Sequence, residues 1–277
     1  MIVPTRSPWD AISDAVTSVL RAGGDEVELI VVGDQGEPEG TPPDDARLRV
    51  VAHRGARGFA PACNAGARAA RGSFLLFLND DVQLSPGVLA ALDAVLARPK
   101  VGAAGPDVYS LALGRSESGT TLVWRRGVLE VRQEALEGCA PVELPYLCGA
   151  ALAVRRCDFG RLGGFDERLA PYYWEDVDLS LRLRDAVGPT VAVAATVEHR
   201  HGATIARESE WQRRLVYERN RFLVSWRHLR GSRWLSHLGW LPVRVAASLV
   251  RDRAVAAGLW AALWRALAGR VRGATRR

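Results

Sequence analysis

The sequence predicts an α/β fold: a mixed, mostly parallel Rossmann-like sheet flanked by helices, with a helical extension at the C-terminal end. Three observations predict it. Through the first two thirds, short apolar runs alternate with stretches of helical periodicity, the pattern of a parallel sheet covered by helices. Phe74-Leu75-Leu76-Phe77-Leu78 is apolar throughout, as expected of a central strand buried on both faces. The 277 residues, 48% hydrophobic and 25% charged, suffice for one large domain plus an appendage.

Taken in order, Met1 to Thr5 predicts the first strand, since no basic stretch leads into an apolar one as in a signal peptide. Ser7-Pro8 predicts a helix start, with Ser as cap and Pro in the first turn. Trp9, Ile12, Val16, Val19 and Leu20 recur at helical spacing up to Gly23-Gly24. Val27 to Val32 predicts a strand, and the Gly-, Pro- and acid-rich residues 33–45 a loop. A small-residue helix follows over Ala60 to Arg71. The apolar run at 74–78 stops at Asn79-Asp80-Asp81, and Ser85-Pro86 predicts another capped helix carrying Leu89, Leu92, Val95 and Leu96 inward. Residues 101–145 are irregular. Tyr146 to Val154 predicts a strand, Glu175 to Ala186 a helix, and Val191 to Val197 a last strand leading into His199.

Composition excludes several classes. Cys63, Cys139, Cys148 and Cys157 form no CxxC pair and no zinc-ligand spacing, so they are expected to be reduced packing residues. Charge is uneven. Sixteen arginines against four acids from Ile205 onward leave +12 there and −6 in the rest. That imbalance suits a basic tail facing an anionic surface. No nucleic-acid-binding module is recognisable.

Three constellations carry chemistry. Carboxylates of Asn79-Asp80-Asp81 lie beyond the end of a buried strand, where open α/β sheets bind ligands, and hard oxygen ligands suit Mg²⁺ or Mn²⁺. Glu175-Asp176-Val177-Asp178 follows Tyr172-Tyr173-Trp174. Carboxylates beside aromatics lose hydration and gain basicity, and the rings could stack on a sugar, although acids in a first helical turn also simply complement its dipole. His199 stands where a further metal contact would be reached. Sugar transfer from a nucleoside diphosphate needs a cation for the departing diphosphate and one base for the acceptor hydroxyl. Glycoside hydrolysis instead needs a carboxylate pair, because its leaving group must be protonated.

These stretches resemble glycosyltransferase family 2, of GT-A fold, especially its rhamnosyltransferase-like members. The resemblance runs from Ile2-Val3-Pro4-Thr5 through Arg57-Gly58-Phe59-Ala60, Asn64-Ala65-Gly66, Asn79-Asp80-Asp81-Val82, Cys148-Gly149-Ala150-Ala151 and Gly163-Gly164-Phe165-Asp166-Glu167. It continues to Trp174-Glu175-Asp176-Val177-Asp178 and His199-Arg200-His201-Gly202-Ala203-Thr204. It implies an inverting transfer from a nucleotide-diphosphate sugar, UDP- or dTDP-linked, to a glycan or lipid-linked acceptor. In that reading Asp176 is the base, and Asp81 with His199 holds Mg²⁺ or Mn²⁺. Pro4, Thr5, Arg6, Asp34, Arg57, Asn64, Asn79 and Asp80 face the nucleotide sugar. Gly149, Ala150, Trp174 and Glu175 face the acceptor. A catalytic domain over 1–205 is expected, its nucleotide-sugar half about 1–100 and its acceptor half about 101–205, with the extension over 206–277. Two positions depart from the family. Gly33 stands where it usually has Asp, with Asp34 one place later, and Ala56 replaces a common Asn. These departures are the support for the alternative, a non-catalytic membrane-associated scaffold of the same fold. A nucleotidylyltransferase would need a Gly-rich triphosphate loop that Pro4-Thr5-Arg6-Ser7 does not supply.

In the tail, Trp211 to Arg230 predicts a helix. Beyond it Val255, Leu259, Trp260, Leu263, Trp264 and Leu267 fall on one side of a second helix. Arg251, Arg265 and Arg272 fall largely opposite, with Arg253 and Arg270 nearer the apolar side. The uncharged stretch Ala254 to Trp264 is far short of the roughly 20 residues that span a bilayer. The expectation is an interfacial helix holding a cytoplasmic protein on the inner face of the plasma membrane, against the plainer reading of a helix packed on the domain.

Overall fold

The computed structural model describes residues 1–118, 120–133, 141–200 and 208–274. Its elements through the first half are β1 (Ile2–Thr5), α1 (Trp9–Ala22), β2 (Leu29–Asp34), β3 (Leu48–His53), α2 (Phe59–Ala69), β4 (Phe74–Leu78), β5 (Val82–Leu84) and α3 (Val88–Leu96). Then come β6 (Ala103–Ser110), β7 (Arg115–Ser116), β8 (Thr120–Arg125), β9 (Val128–Gln133), β10 (Val142–Leu144), β11 (Ala151–Arg155), α4 (Arg156–Arg161), α5 (Glu175–Ala186) and β12 (Thr190–His199). Three helices close the described chain: α6 (Glu210–His228), α7 (Arg233–Arg251) and α8 (Arg253–Ala274).

The main sheet runs β10-β12-β6-β11-β4-β1-β2-β3. Strands β4, β1, β2 and β3 are parallel, β11 is antiparallel to both β4 and β6, and β12 runs parallel to β6. Successive side chains of a strand point to opposite faces, so the two faces collect separate cores. Val3, Val31, Leu76 and Leu78 meet Ile12, Val16 and Val19 of α1 and Leu92 and Val95 of α3. Ile2, Ile30, Val32, Leu75 and Phe77 meet Ala62 and Cys63 of α2 and Leu179 and Leu183 of α5. Both faces of β1, β2 and β4 are covered, which is why these strands show no polar alternation; in these three strands only Phe74, at the start of β4, is exposed.

Several local expectations are corrected. Helix α1 begins at Trp9, with Pro8 in the capping position and no side-chain cap; the Trp9 N–H is satisfied instead by the Glu39 carbonyl at 2.9 Å. Ser7 turns back, its N–H donating to Thr5 Oγ1 at 3.0 Å. Helix α3 begins at Val88, after Gly87 in the left-handed region, so Ser85-Pro86-Gly87 is a turn rather than a capped start. The strand expected from Tyr146 begins only at Ala151, because Cys148 to Ala151 form a turn closed by the Ala151 N–H on the Cys148 carbonyl. Cys63 is a packing residue, whereas Cys157 is exposed; Cys139 lies outside the described residues.

Helix α6 opens with a capping box between Ser209 and Gln212 and packs beneath α8. At Gly258 a Cβ would stand 2.6 Å from the Glu218 Cβ and 2.8 Å from the Arg219 backbone nitrogen, so this glycine allows the two helices their close approach. The single apolar side expected for this helix is split. Leu259 and Ala262 are buried against α6, while Trp260, Leu263, Trp264 and Leu267 face outward. Arg265 donates to the carbonyls of Arg168 and Ala170 rather than to solvent. The side chains of Arg251, Arg270 and Arg272 lie outside what is described. No helix among the described residues is long and apolar enough to cross a membrane.

Candidate active site

A cavity of about 690 Å³ opens beyond the ends of β1, β2 and β4, and every predicted site residue except Asn64 lines it. That volume falls in the range of small-molecule sites.

The first side of the cavity follows from sheet register. The chain leaves β4 at Asn79, whose N–H donates to the Ala150 carbonyl at 2.9 Å, and enters β5 at Val82. Strand β12 pairs antiparallel with β5, Val82 opposite His199, and the Arg200 N–H donates to the Asp81 carbonyl at 3.1 Å. This pairing sets His199 Nε2 3.1 Å from Asp81 Oδ1, with the Asn79 amide 3.5 Å from the same nitrogen. On the other side of β12, His199 pairs with Ser110 of β6, and Ser110 with Arg115 of β7. The residue after β7 is Glu117, and its Oε2 lies 2.7 Å from His199 Nδ1. Sequence reading missed Glu117, which lies in the irregular 101–145 stretch. No motif marks it; only the strand pairing does.

Burial alone would lower the His199 imidazole, but the hydrogen bonds and charges of Asp81 and Glu117 outweigh it and raise the group to about 9. The residues fit a divalent cation. An imidazole nitrogen and a carboxylate oxygen point at one spot, and an incoming ion would have to displace the proton they share. Among the described residues no three His, Cys, Asp or Glu side chains converge as a ready-made cage. Such an ion would therefore draw its remaining ligands from phosphate oxygens and water, as Mg²⁺ and related ions commonly do. His201 to Thr204, the rest of the terminal element, lie outside the described residues.

Asp80 turns away from this pair and accepts from Thr5 Oγ1 at 2.6 Å; burial raises its carboxyl, against that hydrogen bond. Asp34 Oδ2 accepts the Gly58 N–H at 3.0 Å, which ties β2 to the start of α2. A Cβ at position 33 would stand 1.8 Å from the Gly36 carbonyl oxygen, so the turn requires glycine there, and the wall of the cavity is supplied by Asp34. Arg57 reaches Glu208, 3.6 Å away. Asn64 is corrected. Its amide donates to the Phe165 carbonyl and to Glu167 and accepts the Phe165 N–H, so it braces α2 against the segment before α5.

The opposite side is the first turn of α5. Asp176 Oδ2 accepts the Gly149 N–H at 3.0 Å and Oδ1 the Val177 N–H at 2.8 Å. Glu175 is buried, and among the described residues its Oε2 has no hydrogen-bond partner; nor does Trp174 Nε1. Burial first, then the neighbouring Asp176 charge, pushes Glu175 up to about 8. Burial raises Asp176 too, but the backbone donors at Gly149 and Val177 hold its anion. The Gly149 and Val177 donors thus favour the anion on Asp176, while burial with no donor to Oε2 among the described residues favours the proton on Glu175.

Tyr173 and Trp174 both sit at positive φ, 73° and 75°, which non-glycine residues seldom adopt. Asn220 of α6, fully buried, holds them by donating to the carbonyls of Leu169, Tyr172 and Tyr173. Asn220 was also missed as a site residue. Its only sequence signal is a polar run, Glu218 to Arg221, on a helix whose other face is apolar.

Comparison with known proteins adds the following. The model of the family described as "Glycosyl transferase family 2" matches residues 1–162. An N-acetylglucosaminyl-diphospho-decaprenol L-rhamnosyltransferase of Mycobacterium tuberculosis is 38% identical over 155 residues, 49% of this chain and 49% of that one. A pre-mycofactocin glycosyltransferase of the same species is 30% identical over 195 residues, covering 67% of this chain and 39% of the other. The chain thus spans about half or less of the length of these relatives. Among solved structures, GalNAc-T7 with UDP, GalNAc and Mn²⁺ aligns over 80% of this chain and 46% of its own at a TM-score of 0.62 and 16% identity. TarS of S. aureus with UDP-GlcNAc aligns over 88% of this chain and 72% of its own at 0.55 and 16% identity. These likenesses establish a shared fold.

Proposed function

Since the chain belongs to glycosyltransferase family 2 and has the GT-A fold of a nucleotide-sugar glycosyltransferase, we propose that it performs an inverting transfer with Asp176 as base. The observation that carries this reading is the asymmetric carboxyl pair, Asp176 held by two backbone N–H donors and Glu175 buried beside it, facing the same cavity as the Asp81–His199 pair. Asp176 takes the proton of an acceptor hydroxyl, and the freed oxygen attacks the anomeric carbon from the face opposite the diphosphate. Asp176 needs no partner acid, since a diphosphate departs without being protonated. Asp81 and His199 would hold Mg²⁺ or Mn²⁺, which supplies charge neutralisation to the leaving diphosphate.

Asp34, Arg57 and the β1 end at Pro4, Thr5 and Arg6 line the nucleotide side, while Gly149, Ala150, Trp174 and Glu175 line the acceptor side. The donor we favour is UDP- or dTDP-linked, and the mycobacterial relative's name suggests rhamnosyl transfer to a lipid-linked acceptor. Outward-facing Trp260, Leu263, Trp264 and Leu267, within a strongly arginine-rich tail, support contact with an anionic membrane surface. The scaffold alternative loses its support at Gly33, where the departure from the family pattern has a steric reason. The test is a panel of UDP, dTDP and GDP sugars, read by donor hydrolysis and by thermal stabilisation with and without Mn²⁺. Stabilisation that needs Mn²⁺ together with one nucleoside diphosphate is expected; a flat panel would overturn the reading.

A further inference from the structure

We infer that Glu117 is a positioning residue for the cation site: it accepts the Nδ1–H of His199 and so holds Nε2 toward Asp81 Oδ1, where an incoming cation that displaces the Nε2 proton would meet its lone pair. The inference rests on the reading of Asp81 and His199 as cation ligands. A neutral imidazole has one N–H and one lone pair, and a ring free to change tautomer or flip would offer the ion a proton instead of a ligand. A carboxylate on the remote nitrogen fixes both tautomer and ring orientation. The distances here are 2.7 Å from Glu117 Oε2 to Nδ1 and 3.1 Å from Nε2 to Asp81 Oδ1, on opposite edges of one ring.

Glu117 is itself anchored. Its N–H donates to the Val108 carbonyl at 2.8 Å, and the next residue's hydroxyl, Ser118 Oγ, accepts the Val108 N–H at 2.8 Å. The preceding Ser116 hydroxyl donates to Asp107. The segment is thus stitched to β6 on both sides of the carboxylate, and β6 is the strand that carries His199 beside it. The Glu117 side chain is only 20% exposed, so its bond to the imidazole is shielded from competing water.

The test is Mn²⁺ affinity of the full chain at saturating UDP or dTDP, followed by the resonance of free aqueous Mn²⁺. Nitrogen modulation in the electron spin echo reports directly bound imidazole. Glu117→Ala is expected to weaken Mn²⁺ binding by about 10- to 100-fold, the usual effect of losing such an outer partner, and to diminish the nitrogen signal. Glu117→Gln keeps an acceptor without the charge and is expected to lose about 10-fold, the low end of that range. His199→Ala should abolish the nitrogen signal. Mn²⁺ affinity within twofold of wild type in Glu117→Ala, with His199→Ala impaired, would overturn the inference. Should the alanine variant not fold, unchanged affinity in Glu117→Gln would overturn it equally. If His199→Ala also binds Mn²⁺ normally, it is the cation-site reading that falls.

Discussion

Two adjacent carboxyls on one helical turn have different surroundings, which is why the proposed mechanism assigns the base to one of them. Asp176 has backbone N–H groups to hold its charge, while Glu175 has a buried oxygen, Oε2, with no donor among the described residues. A carboxyl raised from 4.5 to about 8 by burial binds its proton more tightly in the folded than in the unfolded chain. Its contribution to stability is therefore favourable at low pH and is lost as pH rises from about 4.5 to about 8. Glu175→Gln removes that dependence. Relative to wild type its melting temperature should climb between pH 5 and pH 8, by about 2–4 °C per kcal/mol for a chain of this size. A constant difference across that range would refute the assignment. At the cation end, Asp81→Ala should abolish the stabilisation by nucleoside diphosphate that depends on Mn²⁺, and an unchanged metal dependence in a calorimetric titration would contradict the role. The residue types of both sites were legible in sequence, since Asp81, Asp176 and His199 stand in ordered motifs. Glu117 was not, because strand pairing alone brings position 117 to position 199.

Elements explain how the site keeps its shape. Helix α5 begins immediately after two residues at positive φ, and Asn220, nearly three turns into α6, bonds the carbonyls that fix them. Asn220→Ala leaves buried carbonyls unpaired, at a cost of about 1–3 kcal/mol each by the usual desolvation penalty. It should lower the melting temperature and raise KM for the acceptor more than KM for the donor, read by steady-state kinetics in each substrate. Equal effects on both would mean that α6 supports the fold in general and not this loop. Helices α1 and α5 and strand β4 were legible from periodicity and apolar runs. The helix starts at Ser7 and Ser85 were misread because a Ser-Pro pair serves turns as well as caps; in the fold, the Glu39 carbonyl and the left-handed Gly87 settle the two ends. The β11 boundary was misread because residues 146–150, although apolar, bend to deliver the Gly149 N–H to Asp176.

On the scale of the whole molecule, topology places Asp81 and His199, 118 positions apart in sequence, at a common corner, because β12 inserts beside both β5 and β6. The C-terminal helices do two things at once. One face of α8 closes over α6 and reaches the Ala170 loop through Arg265, while the other presents Trp260 and Trp264 at 70% and 75% exposure. Sequence periodicity counted both sets as one apolar side, since it cannot tell a face packed on a neighbour from one left in solvent. Replacing Trp260 and Trp264 together by Glu should abolish flotation with anionic liposomes while leaving the melting temperature nearly unchanged; equal flotation would refute membrane contact through this face.

The most direct test of the division between base and cation site is Asp176→Asn, assayed for sugar transfer and for Mn²⁺-dependent stabilisation by nucleoside diphosphate in the same preparation. The account predicts transfer reduced by about 10²- to 10⁴-fold, the usual share of a positioned base, with the nucleotide stabilisation of the wild type retained. Full transfer activity, or loss of the stabilisation along with the transfer, would contradict it.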